Sequence, residues 1–307
     1  GWSMSRKRRV AWVRLLGMVL SLGLLIWLLA RQDWGRLLAA LRLMPVWVLF
    51  LAFALYLAGQ FANAARWLVL LQAQDAPVGY GRLLRLVFAG AFASNFLPST
   101  IGGDALRLVG LTRLIANPGM AAASIVLDRF MNVLSYVTVL PVAGSMLVRF
   151  SDGGFVWGGV WMSWRGRMEA WLSTRWQELL RALKLWQRKK GALVGAFGVS
   201  WFSIFVIFCA LWLLARGLGI PVAFYQVMGI NALTYLLTLL PITFNGLGVR
   251  EVAIVSLYVQ VGATSEQALA LALISRLMLM AETLPGAFWV AEAFSGERSS
   301  SCYNQTV

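Results

Sequence analysis

Histidine is absent from this 307-residue chain. With it go the side chain best suited to moving protons near neutral pH, the commonest metal ligand and every triad built on imidazole. Two cysteines occur, Cys209 inside an apolar run and Cys302 in a polar tail, so neither a disulfide framework nor a metal cluster is indicated. Charge is scarce too: 13% of residues are Asp, Glu, Lys or Arg, about half the share in soluble domains. No Gly-x-x-x-x-Gly-Lys-[Ser/Thr] loop occurs, so the sequence carries no nucleotide-hydrolysing motif. No cofactor, metal or catalytic residue is expected.

What is present is apolar. Hydrophobic residues make up 60% of the chain, and mean hydropathy is +0.74. A soluble fold cannot hide that much apolar surface, and several runs reach the roughly 20 residues that span a bilayer core. The net charge of +15 sits largely at the ends of these runs and in one polar segment. That placement fits membrane topology and anionic headgroups, and it argues against nucleic acid as a partner. Membrane lipids, anionic or phosphate-bearing, are the expected partners.

The chain is expected to begin with a basic segment, residues 1–9, in which Gly-Trp-Ser before Met4 reads as an expression remnant. A single transmembrane domain over 10–294 and a polar tail over 295–307 follow. The run from Val10 to Ala30 reads as a retained first helix rather than a cleaved leader, and Pro45 to Leu71 as an ordinary second span. A third apolar segment, Leu83 to Leu97, ends in Asn95-Phe-Leu-Pro98-Ser99-Thr-Ile-Gly102-Gly103-Asp104, where proline and paired glycines interrupt a helix. A short helix to Leu114 and a long apolar run from Met120 to Leu147 follow, the latter with a kink near Pro141.

Residues 161–190 mix Arg165, Arg167, Arg175, Arg181, Lys184 and Arg188 with five tryptophans from Trp161 to Trp186. This suits an amphipathic helix in the headgroup region, with a solvated loop as the alternative. Further spans run from Gly191 to Ala215 and from Val222 to Leu240. The second leads into Pro241-Ile-Thr-Phe-Asn245-Gly246-Leu-Gly248-Val-Arg250-Glu251, a second break. Apolar stretches Val252 to Val261 and Leu269 to Phe294 complete the chain.

Offset by 143 residues (241 minus 98), the breaks superimpose: Pro98 on Pro241, Thr100 on Thr243, Gly103 on Gly246, Arg107 on Arg250. With a further shift of four, Arg129 meets Arg276 and Met131 meets Met278. This predicts an all-α, polytopic membrane protein of about eight transmembrane segments, with two related repeats each holding a Pro/Gly-interrupted helix. Repeat one covers about 82–147 and repeat two about 222–294. If each long helix crosses once, the second repeat is inverted. The positive-inside rule then places Arg6 to Arg9, Arg82 with Arg85, and residues 161–190 in the cytoplasm, with the N-terminus, at a bacterial-type inner membrane.

Charges inside a membrane are costly, about 3 kcal/mol at the centre on insertion scales, and mark function by default. The expected substrate-binding set is Asn95, Pro98, Ser99, Gly102, Gly103, Asp104 and Arg107 at the first break, and Asp128 and Arg129 in the helix after it. Asn245, Gly246, Gly248, Arg250 and Glu251 at the second break, and Arg276 and Glu282 beyond it, complete the set. Arginines 107, 129, 250 and 276 are expected to line a polar cavity and hold a lipid phosphate, for which the guanidinium fork is suited. The glycines would let backbone N–H groups approach the anion, and the acidic residues would position the arginines or carry a coupling proton. The alternative is that Asp128–Arg129 and Arg276–Glu282 are internal ties.

These residues resemble the two signatures of the lysylphosphatidylglycerol synthase transmembrane-region family, a likeness that runs from about Val10 to Phe294. The resemblance implies a flippase-like fold with related halves, and movement of a phospholipid, aminoacyl-phospholipid or polyprenyl-phosphate-linked lipid between leaflets. Asn245 stands where the usual second signature has glycine. No aminoacyl-transferase domain follows Phe294, so lipid aminoacylation is not expected. Two other classes stay open at this point: a membrane-embedded transferase using Asp104 or Glu251 as base, and a non-transporting scaffold of a lipid pathway.

Overall fold

The computed structural model describes residues 44–96, 100–115, 117–142, 189–239 and 248–294, with isolated positions 35, 42, 184 and 186. The expected first helix, most of the 161–190 segment, and Pro98 and Pro241 at the two breaks lie outside the described residues. The described residues form nine α-helices and no strand. They are α1 Val46–Gln72, α2 Tyr80–Phe96, α3 Thr100–Leu114, α4 Pro118–Val137, α5 Lys190–Gly217, α6 Phe224–Thr238, α7 Val249–Gln260, α8 Ser265–Thr283 and α9 Gly286–Phe294. Among the described residues three segments are long and apolar enough to cross a membrane: α1, α4 with its continuation to Val142, and α5.

Local chemistry sets where these helices start. Asn117 caps α4 by accepting from the Met120 N–H at 3.0 Å, with Pro118 at the first helical position. Thr264 does the same for α8, accepting from the Gln267 N–H at 3.2 Å, and the Gln267 side chain accepts from the Thr264 N–H at 3.0 Å. At α7 the cap is Gly248, whose φ of 78° favours a residue without Cβ; its N–H donates to Glu251 Oε2 at 2.7 Å.

Helices α1 and α5 form the most extensive packing pair. Their contacts run in opposite chain order: Gly217 lies against Val48, Ser203 donates to the Gly59 carbonyl at 3.3 Å, Ser200 accepts from Arg66, and Gly195 lies against Val69. The two helices are therefore antiparallel along their length. Helices α2, α3 and α4 pack in sequence beside α1, and α6, α7 and α8 likewise beside one another. One core gathers Tyr56, Leu214, Ile254, Tyr258 and Leu271; another gathers Trp67, Leu83, Leu111 and Ile125. Outward positions stay apolar, with Phe50 71% and Val194 72% exposed, as a lipid-facing surface requires.

Three expectations are corrected. The apolar stretch Leu269 to Phe294 is not one helix. Pro285, which lacks the N–H that would continue the ladder, falls in a turn between α8 and α9. That turn lets α9 lie against α2, where a Cβ on Gly286 would fall 2.1 Å from the Phe88 carbonyl oxygen. Trp186 does not face lipid from an amphipathic helix: it is fully buried and donates from Nε1 to the Leu70 carbonyl at 2.8 Å, at the C-terminal end of α1. The second span is not ordinary either. It carries Tyr56, Gln60, Asn63 and Arg66, spaced to share one face of α1, and each meets or approaches a polar group of another helix.

Candidate functional site

The centre of the polar interior is Asp128 on α4, 2% exposed. Its carboxylate accepts from Arg66 Nε at 2.7 Å and from Arg107 Nη2 at 2.9 Å. Removing a carboxylate from water costs several kcal/mol, which close countercharges and good hydrogen-bond geometry must offset. Arg66 Nη1 also donates to Asn132 Oδ1 at 3.3 Å and to Ser200 Oγ at 3.2 Å, tying α1 to α4 and α5. Arg107 lies over the Trp67 ring at 4.1 Å, a cation–π contact strengthened by desolvation. Trp67 in turn donates to Ser124 at 3.1 Å. Asn132 donates to the Tyr235 hydroxyl at 2.8 Å, and Tyr235 stacks on Tyr136 at 3.9 Å. This reaches from α4 to α6.

Beside this cluster, Arg129 grips Asp104 with two donors, Nη2 to Oδ1 at 2.8 Å and Nε to Oδ2 at 3.1 Å. That pair is open to its surroundings, with the Arg129 side chain 50% exposed. Asp104 also lies 3.9 Å from Arg107, one helical turn away. First-break residues and α4 thus form one ionic network, but not by the Asp128–Arg129 pairing of the alternative reading. Adjacent residues on a helix point about 100° apart, so Asp128 turns inward to Arg66 and Arg107 while Arg129 turns to Asp104.

The second network lies where α7 and α8 meet α1. Arg250 Nη2 donates to Ser275 Oγ at 3.4 Å, a long contact, and its Nη1 is buried without a hydrogen-bond partner among the described residues. Glu251 accepts from the Gly248 N–H and lies 3.9 Å from Arg276 Nη1. Glu282 does not pair with Arg276 as the alternative reading had it; it accepts from Gln60 Nε2 of α1 at 3.0 Å. Asn95, near the end of α2, donates to Thr283 Oγ1 at 3.2 Å, so the first-break helix touches the end of α8. Among the described residues five buried side-chain atoms have no hydrogen-bond partner: Arg107 Nε in the first network, and Tyr56 OH, Arg250 Nη1, Glu251 Oε1 and Glu282 Oε2 in this one.

Of the expected site residues, Pro98, Ser99, Asn245 and Gly246 lie outside the described residues. Gly102 is partly exposed near the start of α3. Gly103 packs closely: a Cβ there would fall 1.9 Å from Ser94 Oγ and 2.3 Å from the Gly90 carbonyl oxygen, so α2 and α3 touch through it. Sequence reading missed Arg66, Gln60, Tyr56 and Ser275. Arg66 carried a usable signal, a lone charge inside a long apolar run, which a membrane segment tolerates only with a partner.

The arrangement supplies charges and hydrogen-bond donors held between apolar helices. Comparison with curated proteins gives no match. The model of the lysylphosphatidylglycerol synthase TM region family matches residues 14–286, nearly the whole chain. With its long apolar helices and buried ionic network, the chain is an integral, helical membrane protein that belongs to the lysylphosphatidylglycerol synthase TM region family.

Proposed function

We propose that this protein moves an anionic, phosphate-bearing lipid between bilayer leaflets, the headgroup passing through the polar interior between two related, inverted halves, α1 to α4 and α5 to α8. The observation that carries the reading is the burial of Arg66, Arg107, Asp128, Glu251 and Glu282 between helices whose outer faces are apolar. A polar path inside an apolar shell lets a headgroup cross without meeting the hydrocarbon core.

The antiparallel run of α1 against α5 supports an inverted relation of the halves. So do the paired caps, Asn117 before α4 and Thr264 before α8. Arg82, Arg85, Lys189 and Lys190 are exposed near the end where α1 finishes and α5 begins, which suits a cytoplasmic face.

The test is purified protein in liposomes carrying a fluorescent phosphatidylglycerol, with bleaching of the outer leaflet by dithionite. The wild type is expected to expose the inner pool and Arg250→Ala to leave about half the signal protected, as protein-free vesicles do. Protection of the inner pool by wild-type vesicles would sink the reading.

A further inference from the structure

The two halves are unequal in one respect. Asp128 and Ser275 sit at the same position of α4 and α8, ten residues after the first (128 − 118 and 275 − 265). Each accepts from the arginine of the preceding helix, Asp128 from Arg107 and Ser275 from Arg250. Arg107 therefore meets a carboxylate at 2.9 Å, shared with Arg66, whereas Arg250 meets, among the described residues, only a hydroxyl at 3.4 Å. The carboxylates of α7 and α8 each have a partner other than Arg250, Glu251 Oε2 the Gly248 N–H and Glu282 Oε1 Gln60, while Glu251 Oε1, 3.9 Å from Arg276, and Glu282 Oε2 have no hydrogen-bond partner among the described residues.

Arg250 also has a neighbour of matching need. Tyr56 is 1% exposed, its hydroxyl has no hydrogen-bond partner among the described residues, and Arg250 and Glu282 act on it electrostatically with opposite sign. A buried donor without an acceptor has given up its hydration and gained no hydrogen bond in return, a loss that is larger for a charged group. Two buried donors left without acceptors are suited to a ligand rich in acceptors and negative charge.

We propose that the second half alone holds the anion, with Arg250 and Tyr56 donating to the oxygens of a phosphate group, while Arg107 in the first half, bound to Asp128 and lying over the Trp67 ring, serves as a fixed tie. This rests on the reading of the protein as a carrier of anionic lipid and assigns the headgroup's place within it. Asymmetry of this kind leaves the anion one binding position rather than two.

The experiment introduces the missing carboxylate. Ser275→Asp gives Arg250 the partner that Arg107 has, and Tyr56→Phe removes one donor while keeping the ring. Binding of dioctanoyl phosphatidylglycerol to the purified protein is followed by intrinsic tryptophan fluorescence, with inorganic phosphate as competitor. Ser275→Asp is expected to weaken binding about tenfold or more, and Tyr56→Phe about threefold or more. Ser275→Asn, similar in size but uncharged, is expected to weaken it several-fold less than Ser275→Asp. Competition by inorganic phosphate identifies the bare oxyanion as sufficient; no competition assigns the site to the lipid headgroup with its chains.

Unchanged binding in both Ser275→Asp and Tyr56→Phe overturns the assignment. Should Ser275→Asp fail to fold, Tyr56→Phe decides alone. Wild-type transport that persists in both variants removes this site and leaves the transport reading standing; lost binding in a wild type that never transports does the reverse.

Discussion

Arg66 of α1 and Asp128 of α4, 62 residues apart in sequence, meet at 2.7 Å with both side chains almost wholly withdrawn from their surroundings. Their contact joins the longest packing pair of the fold, α1 with α5, to the network that follows the first break. Depth decides what such contacts are worth. A desolvated pair that loses one partner leaves an uncompensated charge, whereas an exposed pair returns to solvent at little cost.

Asp128→Asn is accordingly expected to destabilise the fold by about 3–5 kcal/mol, because Arg66 and Arg107 then face each other without a carboxylate. Asp104→Asn, which releases the half-exposed Arg129, is expected to cost no more than about 1 kcal/mol. Thermal unfolding of the two variants in detergent measures the difference. Equal midpoints would refute the ranking.

Arg107 and Arg250 correspond in sequence and are expected to fail differently. Arg107→Ala removes a countercharge from Asp128 and the cation–π contact with Trp67, so it lowers stability, by about 3 kcal/mol. Arg250→Ala removes a group whose one hydrogen bond is 3.4 Å long, so it is expected to change stability by less than about 1 kcal/mol while removing lipid transport. Paired melting and vesicle assays separate these outcomes. A large loss of stability in Arg250→Ala would show that it too is a tie.

Gly286→Ala is expected to push α9 from α2, since the new methyl would fall 2.1 Å from a backbone oxygen that cannot move without the helix. Overpacking of this kind costs about 1–3 kcal/mol. Gly191→Ala, at the start of α5 with nothing within 4 Å of the added carbon, is the control and is expected to be neutral or slightly stabilising. Comparison of melting midpoints checks both, and equal midpoints would deny the close approach of α9 to α2.

Helix positions were legible because apolar length and breakers are local properties. Pro45 to Leu71 became Val46–Gln72, and Gly191 to Ala215 became Lys190–Gly217. Arg107 was legible as a charge in an apolar segment that needs a partner, and it is buried, whereas Arg129 lies half-exposed against Asp104. The pairings were not legible. Asp128 with Arg129, and Arg276 with Glu282, were plausible by proximity along the chain, yet the observed partners come from other helices and include the overlooked Arg66 and Gln60. Proline 285 was equally visible in sequence, but an apolar run on either side of it masked the turn.

The chain by itself determined that it lives in lipid, where its helices begin and end, and that two breaks bear arginines, because burial of apolar area and satisfaction of backbone hydrogen bonds are decided residue by residue. Tertiary structure alone decided which charges are neutralised. Countercharge is a matter of a few ångströms between side chains far apart in sequence, and only the packing of α1 against α4 and of α7 against α8 sets Asp128 against two arginines and leaves Arg250 facing a serine.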